Sequence, residues 1–367
     1  MLLASTWLVV GCQRTPSAPE CPKECTCSGA FQSCFYRPSH AELEADAAVE
    51  RIPALALQKL GSSRFENDIG RDHDDKAYSV AVDAMGRIHM IGVSSDTVHV
   101  FDDTGRQLWT GRSSKPFGPE RYPALMMKVT SRGDTWVEEE ESSKSGAHNM
   151  ALLGPRYVHF GPSGQPLGVE QILFEGDTWW AWLPQPDGGL RWVINHKKIL
   201  LVDAHGALLQ SIPWPIDEAL IDVQDDTSAV APDGSLAVVR ERAKKGILWF
   251  SPSKELVAGI FSPQGDAITE WPLPFHSNSY PRIAFDGRHL AFVVSDDSET
   301  GHQAILVSDA KGKGLFRLPV AANASVAKVF LLTRATGEEL WVFAKEQVTR
   351  QGWGVRDGVI TRYAMPR

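Results

Sequence analysis

Between Tyr78 and Trp109 the chain alternates short apolar runs with polar turns. Tyr78-Ser-Val-Ala-Val82, Arg87-Ile-His-Met-Ile91, Thr97-Val-His-Val-Phe101 and Arg106-Gln-Leu-Trp109 are separated by stretches rich in Asp, Gly and Ser. Alternation with a period of two over four to six residues is the pattern of a half-buried strand, so this stretch predicts four strands in one compact unit. The same pattern recurs five more times before Arg367. Leu190-Arg-Trp-Val-Ile194, Leu236-Ala-Val-Val239, Leu290-Ala-Phe-Val-Val294 and Leu340-Trp-Val-Phe343 are among its strongest strands, and Thr135-Trp-Val137 is a shorter one. β-branched and aromatic residues in such runs suit strands buried on one or both faces.

The turns carry the repeat. One set places a glycine at Gly86, Gly133, Gly188, Gly234, Gly287 and Gly337, spaced 47, 55, 46, 53 and 50 residues apart. A second set falls between them at Gly105, Gly164, Gly206, Gly265, Gly312 and Gly358. Asp side chains before many of these glycines bond to backbone amides two residues on, and glycine supplies the positive φ of a tight hairpin. A period near fifty residues with two turns per period is that of a four-stranded propeller blade, so the expected fold is all-β, a six-bladed β-propeller. A β-sandwich of unrelated hairpins is the rival, and twelve alternating turns in register argue against it. Up-and-down strands put all twelve turns on one face. The longer loops then share the other, the expected binding face.

Val80-Ala-Val-Asp83-Ala-Met-Gly86-Arg-Ile-His89 and Val98-His-Val-Phe-Asp102-Asp-Thr-Gly105 resemble the NHL repeat of six-bladed propellers. Ala231-Pro-Asp-Gly-Ser-Leu-Ala-Val-Val239 and Ala284-Phe-Asp-Gly-Arg-His-Leu-Ala-Phe-Val293 are similar to the related TolB kind. The resemblance covers roughly residues 75 to 367. Its motifs are structural turns shared by proteins of many functions, so it implies the fold and little chemistry.

Composition narrows the partners. A formal net charge of -8, with Lys and Arg in no long run, argues against nucleic acid. Thirty-one Gly, 23 Pro and 12 Trp suit a turn-rich β chain.

At the N-terminus the apolar run Met1–Gly11 is too short to span a bilayer and has the length of a signal-peptide core. Val9-Val10-Gly11-Cys12 resembles the lipobox of bacterial lipoproteins, although no Lys or Arg precedes the run. The resemblance implies a lipidated Cys12, a membrane anchor, and a place in the bacterial cell envelope, facing the periplasm or exposed at the surface. A Pro/Ser-containing tether follows, then Cys21, Cys25, Cys27 and Cys34. In an exported chain this even cluster reads as two disulfides of unassigned connectivity, with a four-thiolate zinc site as the rival. Ser39–Arg51 opens with capping-box spacing and reads as one short helix ending near Pro53. The expected organisation is therefore signal peptide 1–11, tether and Cys-rich segment 12–36, connector with helix 37–74, and propeller 75–367.

The loop-face segments are polar and acidic. They include Asp72-His73-Asp74-Asp75 entering blade one, Asp225-Asp226 entering blade four and His276-Ser-Asn278 entering blade five. Within blades come Glu138–Glu141, Asn195–Lys197, Arg240–Arg242 and Asp296–Glu299, read as loops. His73, Asp75, Asp225, Asp226, His276 and Asn278 are the candidate ligand-binding residues. Asp75, Asp225, Asp226 and Asn278 supply the oxygen donors that suit Ca²⁺, which would polarise a carbonyl or activate water as in propeller lactonases and lyases. A solvated acidic rim is the competing reading. Trp179, Trp180 and Trp182 fall on the predicted inner strand of blade three, as inter-blade core or as a stacking platform. Asp102–Trp109 and Ala335–Trp341 are similar to the tryptophan-docking repeat of quinoprotein propellers, but only twice and in different turn phases.

The chain holds no His-Glu-x-x-His, no Gly-x-Ser-x-Gly and no P-loop, and no catalytic residue is assigned. The expected function is a monomeric envelope scaffold that binds a protein or a small-molecule ligand on its loop face. A metal-dependent lactonase- or lyase-type enzyme is the alternative.

Overall fold

The computed structural model of the chain describes residues 25–28, 33–36, 52–65, 78–92, 96–112, 124–139, 156–171, 179–185, 189–194, 198–203, 207–213, 227–243, 254–273, 281–295, 303–321, 323–350 and 353–366. Cys12, Cys21 and the expected helix Ser39–Arg51 lie outside them. Met1–Arg51 with Pro274–His276 form one compact unit and the rest of the chain a second. In the first unit β1 (Cys25–Ser28) and β2 (Ser33–Tyr36) pair antiparallel, with Cys27 opposite Cys34 and Cys25 opposite Tyr36.

The second unit is a propeller. After β3 (Lys59–Phe65), blade 1 is β4 (Tyr78–Val82), β5 (Ile88–Gly92), β6 (Thr97–Phe101) and β7 (Gln107–Arg112). Blade 2 is β8 (Ala124–Val129), β9 (Thr135–Glu139), β10 (Arg156–Phe160) and β11 (Pro166–Gln171). Blade 3 is β12 (Trp179–Pro184), β13 (Leu190–Ile194), β14 (Lys198–Val202) and β15 (Leu208–Pro213). Blade 4 is β16 (Ser228–Val230), β17 (Leu236–Ala243), β18 (Lys254–Phe261) and β19 (Ala267–Pro272). Blade 5 is β20 (Arg282–Phe285), β21 (His289–Ser295), β22 (Gln303–Asp309) and β23 (Gly314–Pro319). These five sheets each use four consecutive strands. The sixth joins β24 (Ala324–Arg334), β25 (Gly337–Arg350) and β26 (Trp353–Ala364) to β3 from the other end of the propeller's chain. The inner strands touch in cyclic order, β4 to β8, β12, β16, β20, β24 and back to β4, which closes the ring.

This closure corrects two sequence readings. The propeller does not begin at residue 75, because β3 pairs along β26 from Phe65 opposite Gly358 to Lys59 opposite Tyr363. Gly358 is not a turn. It lies inside β26, where a Cβ would come within 2.9 Å of the Phe343 ring, so close packing requires glycine there. The other described turn glycines behave as expected: Gly86, Gly105, Gly133, Gly164, Gly234, Gly265, Gly287, Gly312 and Gly337 all have positive φ. Gly188 and Gly206 lie outside the described residues.

Apolar clusters fill the gaps between blades. Ala81, Ile91, Val98 and Val100 of blade 1 meet Met127, Val137, Val158 and Phe160 of blade 2. Val80, Ile88, Met90 and Phe101 on the other side of blade 1 meet Leu332, Trp341, Phe343 and Ile360 of blade 6, with Phe65 of β3 among them.

Every blade carries a register shift between its third and outermost strands, and the extra residue is Leu60, Leu108, Leu167, Leu209, Ile268 or Leu315. A bulge raises local twist and interrupts the regular hydrogen-bonding edge at the residue where it falls.

Candidate functional site

The six inner strands present their free edges to the axis and enclose a cavity of about 380 Å³. Its layers follow from the registers. Val82, Val129, Val230, Phe285 and Leu331, opposite Ile88, Thr135, Leu236, Leu290 and Leu340, form an apolar layer near the turn face. One residue deeper come Ala81, Lys128, Leu183, Ala229, Ala284 and Phe330, apolar except for Lys128 of blade 2. Two residues deeper again, Arg282 of blade 5 and Lys328 of blade 6 reach the cavity at the same level, each three pairs from Phe285 or Leu331. Arg282 Nη1 donates to the Val326 carbonyl at 3.0 Å, which pins the guanidinium to the wall.

At the turn end the cavity meets two carboxylates, Asp83 and Asp286, and both are engaged in holding turns. Asp83 Oδ1 accepts the amides of Met85 and Arg87, each at 2.9 Å, and Oδ2 accepts Arg87 Nε at 2.6 Å. His89 Nε2 lies 3.4 Å from the same oxygen, and its Nδ1 lies 2.9 Å from Thr135 Oγ1 of blade 2. Arg87 continues into blade 2, donating to the carbonyls of Pro162 at 2.6 Å and Arg132 at 3.1 Å. Burial acts to raise the Asp83 carboxyl, but the bonds from His89 and Arg87 outweigh it and hold the group below its ordinary value. Burial pushes the His89 imidazole below its ordinary value, against the pull of Asp83. Asp286 accepts the amides of Arg288 at 2.7 Å and His289 at 2.6 Å, and His289 Nδ1 lies 3.2 Å from its other oxygen. That contact raises the His289 imidazole.

A second network lies at the seam between blades 6 and 1. Asp103 Oδ2 accepts Arg334 Nη1 and Arg362 Nη1, both at 2.9 Å. Arg362 also donates to Glu339 at 3.2 Å and stands 5.1 Å over the Trp341 ring, whose indole donates to Glu339 at 2.9 Å. This ties the turn of one blade to the strands of the other through direct ion pairs and a cation–π contact.

The acidic mouth that the sequence suggests falls on residues outside those described. His73, Asp75, Asp225, Asp226, His276 and Asn278 lie outside the described residues, as do Asn195–Lys197 and Asp296–Glu299. Among the described residues no group of three or more His, Cys, Asp and Glu is placed to hold a metal ion. Glu138 is a strand residue of β9 and fully buried, not part of a charged loop. Arg240 belongs to β17, is buried, and bridges to Glu270 at 2.5 Å, so the segment Arg240–Arg242 is not a loop either. Trp179, Trp180 and Trp182 do lie on an inner strand, β12; the facing of their side chains lies outside what is described. Sequence reasoning passed over Lys128, Arg282 and Lys328 because it sought polar residues in loops. The available signal was a single cation inside an otherwise apolar inner strand, as in Met126-Met127-Lys128-Val129.

No protein-family model matches the sequence, and no curated protein matches it. Solved structures match the chain at low identity. A protein of unknown function from Bacteroides caccae is 12% identical over 68% of this chain and 83% of its own, with a TM-score of 0.42. Virginiamycin B lyase from Staphylococcus aureus is 12% identical over 83% of this chain and 99% of its own, with a TM-score of 0.41. A variant of the Synechocystis apocarotenoid oxygenase is 11% identical over 79% of this chain and 72% of its own, with a TM-score of 0.42.

Proposed function

We propose that this protein is a cell-envelope lipoprotein whose propeller holds a small ligand in its central channel and does not turn it over. The observation that carries this reading is the cavity of about 380 Å³, walled by all six inner strands and lined by both apolar and cationic side chains. Pockets of roughly 300–1,000 Å³ with mostly apolar walls and a few placed polar groups are the usual form of small-molecule sites. Binding is favoured over turnover because Asp83 and Asp286, the carboxylates among the described residues that line the cavity, are committed to turn amides and to histidines rather than offered for proton transfer.

The test fills the channel. Ala229 lines the cavity at the layer of Lys128, and Ala229→Trp occupies that layer. Protein purified from membranes and extracted with solvent is expected to release a small molecule in near-stoichiometric amount. The Ala229→Trp protein, shown to be folded by its circular dichroism melt, is expected to release none. Equal yields from both proteins, or no released molecule from the wild type, would overturn the channel reading.

The anchor is tested separately by intact-mass spectrometry of the membrane-extracted protein. The expected mature chain begins at an acylated Cys12, and a species retaining Met1 with an unmodified Cys12 would refute it.

A further inference from the structure

We infer that the channel's ligand is an uncharged, apolar molecule, gripped by a collar of side chains in the layer near the turn face; this rests on the channel reading above. The collar is Val82, Val129, Val230, Phe285 and Leu331, from the inner strands of blades 1, 2, 4, 5 and 6. Val82, Val129, Val230 and Leu331 are only half-buried. Their partners one strand outward, Ile88, Thr135, Leu236 and Leu340, are each 0% exposed. The blades therefore cover the sheet behind the collar completely, and the apolar surface left open faces the axis. One residue deeper, Ala229 and Phe330 are half-buried as well and line the same cavity.

The charged side chains of the described wall are already committed. Asp83 and Asp286 hold turn amides and histidines, and Arg282 donates to the Val326 carbonyl. Lys128 and Lys328 are likewise engaged within the protein. A charged ligand would give up its hydration against apolar walls and would have to compete with these contacts for a counter-charge. A strongly polar one would desolvate its hydroxyls or amides against the collar without return. An apolar ligand instead removes water from both its own surface and the half-buried collar, which is the favourable exchange. The volume of about 380 Å³ limits it to a short chain or a single small ring system.

The experiment uses the full chain, passed over a hydrophobic resin to strip bound ligand, and isothermal titration with three probes of one length: octanol, octanoate and octylammonium. Octanol is expected to bind about tenfold or more tightly than either ion. Raising ionic strength is expected to leave its affinity unchanged. Val82→Thr combined with Val230→Thr keeps the shape of the collar and adds two hydroxyls, and is expected to weaken octanol about tenfold. Leu209→Thr, on an exposed position of the outer strand β15, is the control and is expected to change nothing. Thermal melts show that the variants fold; should the pair fail, Val230→Thr alone is expected to weaken octanol about threefold. Either ion binding as tightly as octanol, or octanol binding indifferent to the collar substitutions, overturns the inference. So does a failure of octanol to bind, or a released native molecule that is ionised at neutral pH; the channel reading survives both if that molecule is lost on Ala229→Trp. Absence of any released molecule is the failure of that reading instead.

Discussion

Replacing Phe65 by alanine is expected to destabilise the protein by about 3–5 kcal/mol, the cost of removing a buried aromatic that the surroundings cannot collapse upon. Phe65 ends β3, is 6% exposed, and packs its ring 5.1 Å from that of Phe101. Its cluster draws on blade 1 through Val80, Ile88 and Met90 and on blade 6 through Trp341, Phe343 and Ile360. The side chain thus joins the two blades that are farthest apart in sequence, at the place where the ring closes. Leu60, on the same strand, is 42% exposed and supplies a control. Leu60→Ala is expected to cost less than about 1 kcal/mol, as surface changes do. Urea unfolding followed by tryptophan fluorescence gives both values. Equal midpoints for the two variants would show that β3 is an ornament on β26 and not the closing strand.

How far the sequence declared this arrangement depends on how local each signal is. The turns were legible because Asp and Gly act within four residues, and nine described glycines take the positive φ that their contexts demand. Gly358 misled for the same reason. Arg356-Asp357-Gly358 has turn chemistry, yet Asp357 is buried within β26 and accepts from Arg64 at 3.2 Å, so a tertiary pairing overrode the local preference. β3 was invisible because Lys59-Leu-Gly-Ser-Ser-Arg-Phe65 has one strongly buried apolar residue; its place is set by backbone pairing with a strand almost three hundred residues away. Glu138 and Arg240 were misread because charge was taken for exposure, whereas both lie buried in strands. The channel cations escaped for a related reason. A lone lysine in an apolar run says nothing of the axis it faces until the ring is assembled.

Asp83→Ala is expected to have the other large effect, about 3–5 kcal/mol, the loss found when one member of a buried charged network is removed and its partners are left behind. The carboxylate holds its own turn through the amides of Met85 and Arg87. It also balances Arg87, which crosses to Pro162 and Arg132, and His89, which is fully buried and reaches Thr135. Without it a tight turn, a cation and an imidazole lose their common partner at the seam of blades 1 and 2. The pH dependence separates this from a simple turn defect. Burial sets the folded pKa of His89 below the ordinary 6.5, so the unfolded chain binds its proton first. The stability from neutral His89 is therefore complete above pH 6.5 and is lost as pH falls from there through the folded value. Asp83 adds a second loss at lower pH, because its folded pKa lies below the ordinary 3.8. Asp83 is also the group that pulls His89 upward. Its removal lowers the folded pKa further and widens the range over which acid destabilises. Melting temperatures at pH 7 and pH 5 should therefore differ by more in Asp83→Ala than in the wild type. His289 has the opposite sign, being raised by Asp286, but it is common to both proteins and cancels in the comparison. An equal or smaller gap in the variant would mean that His89 does not depend on Asp83, and that the carboxylate serves only its own turn.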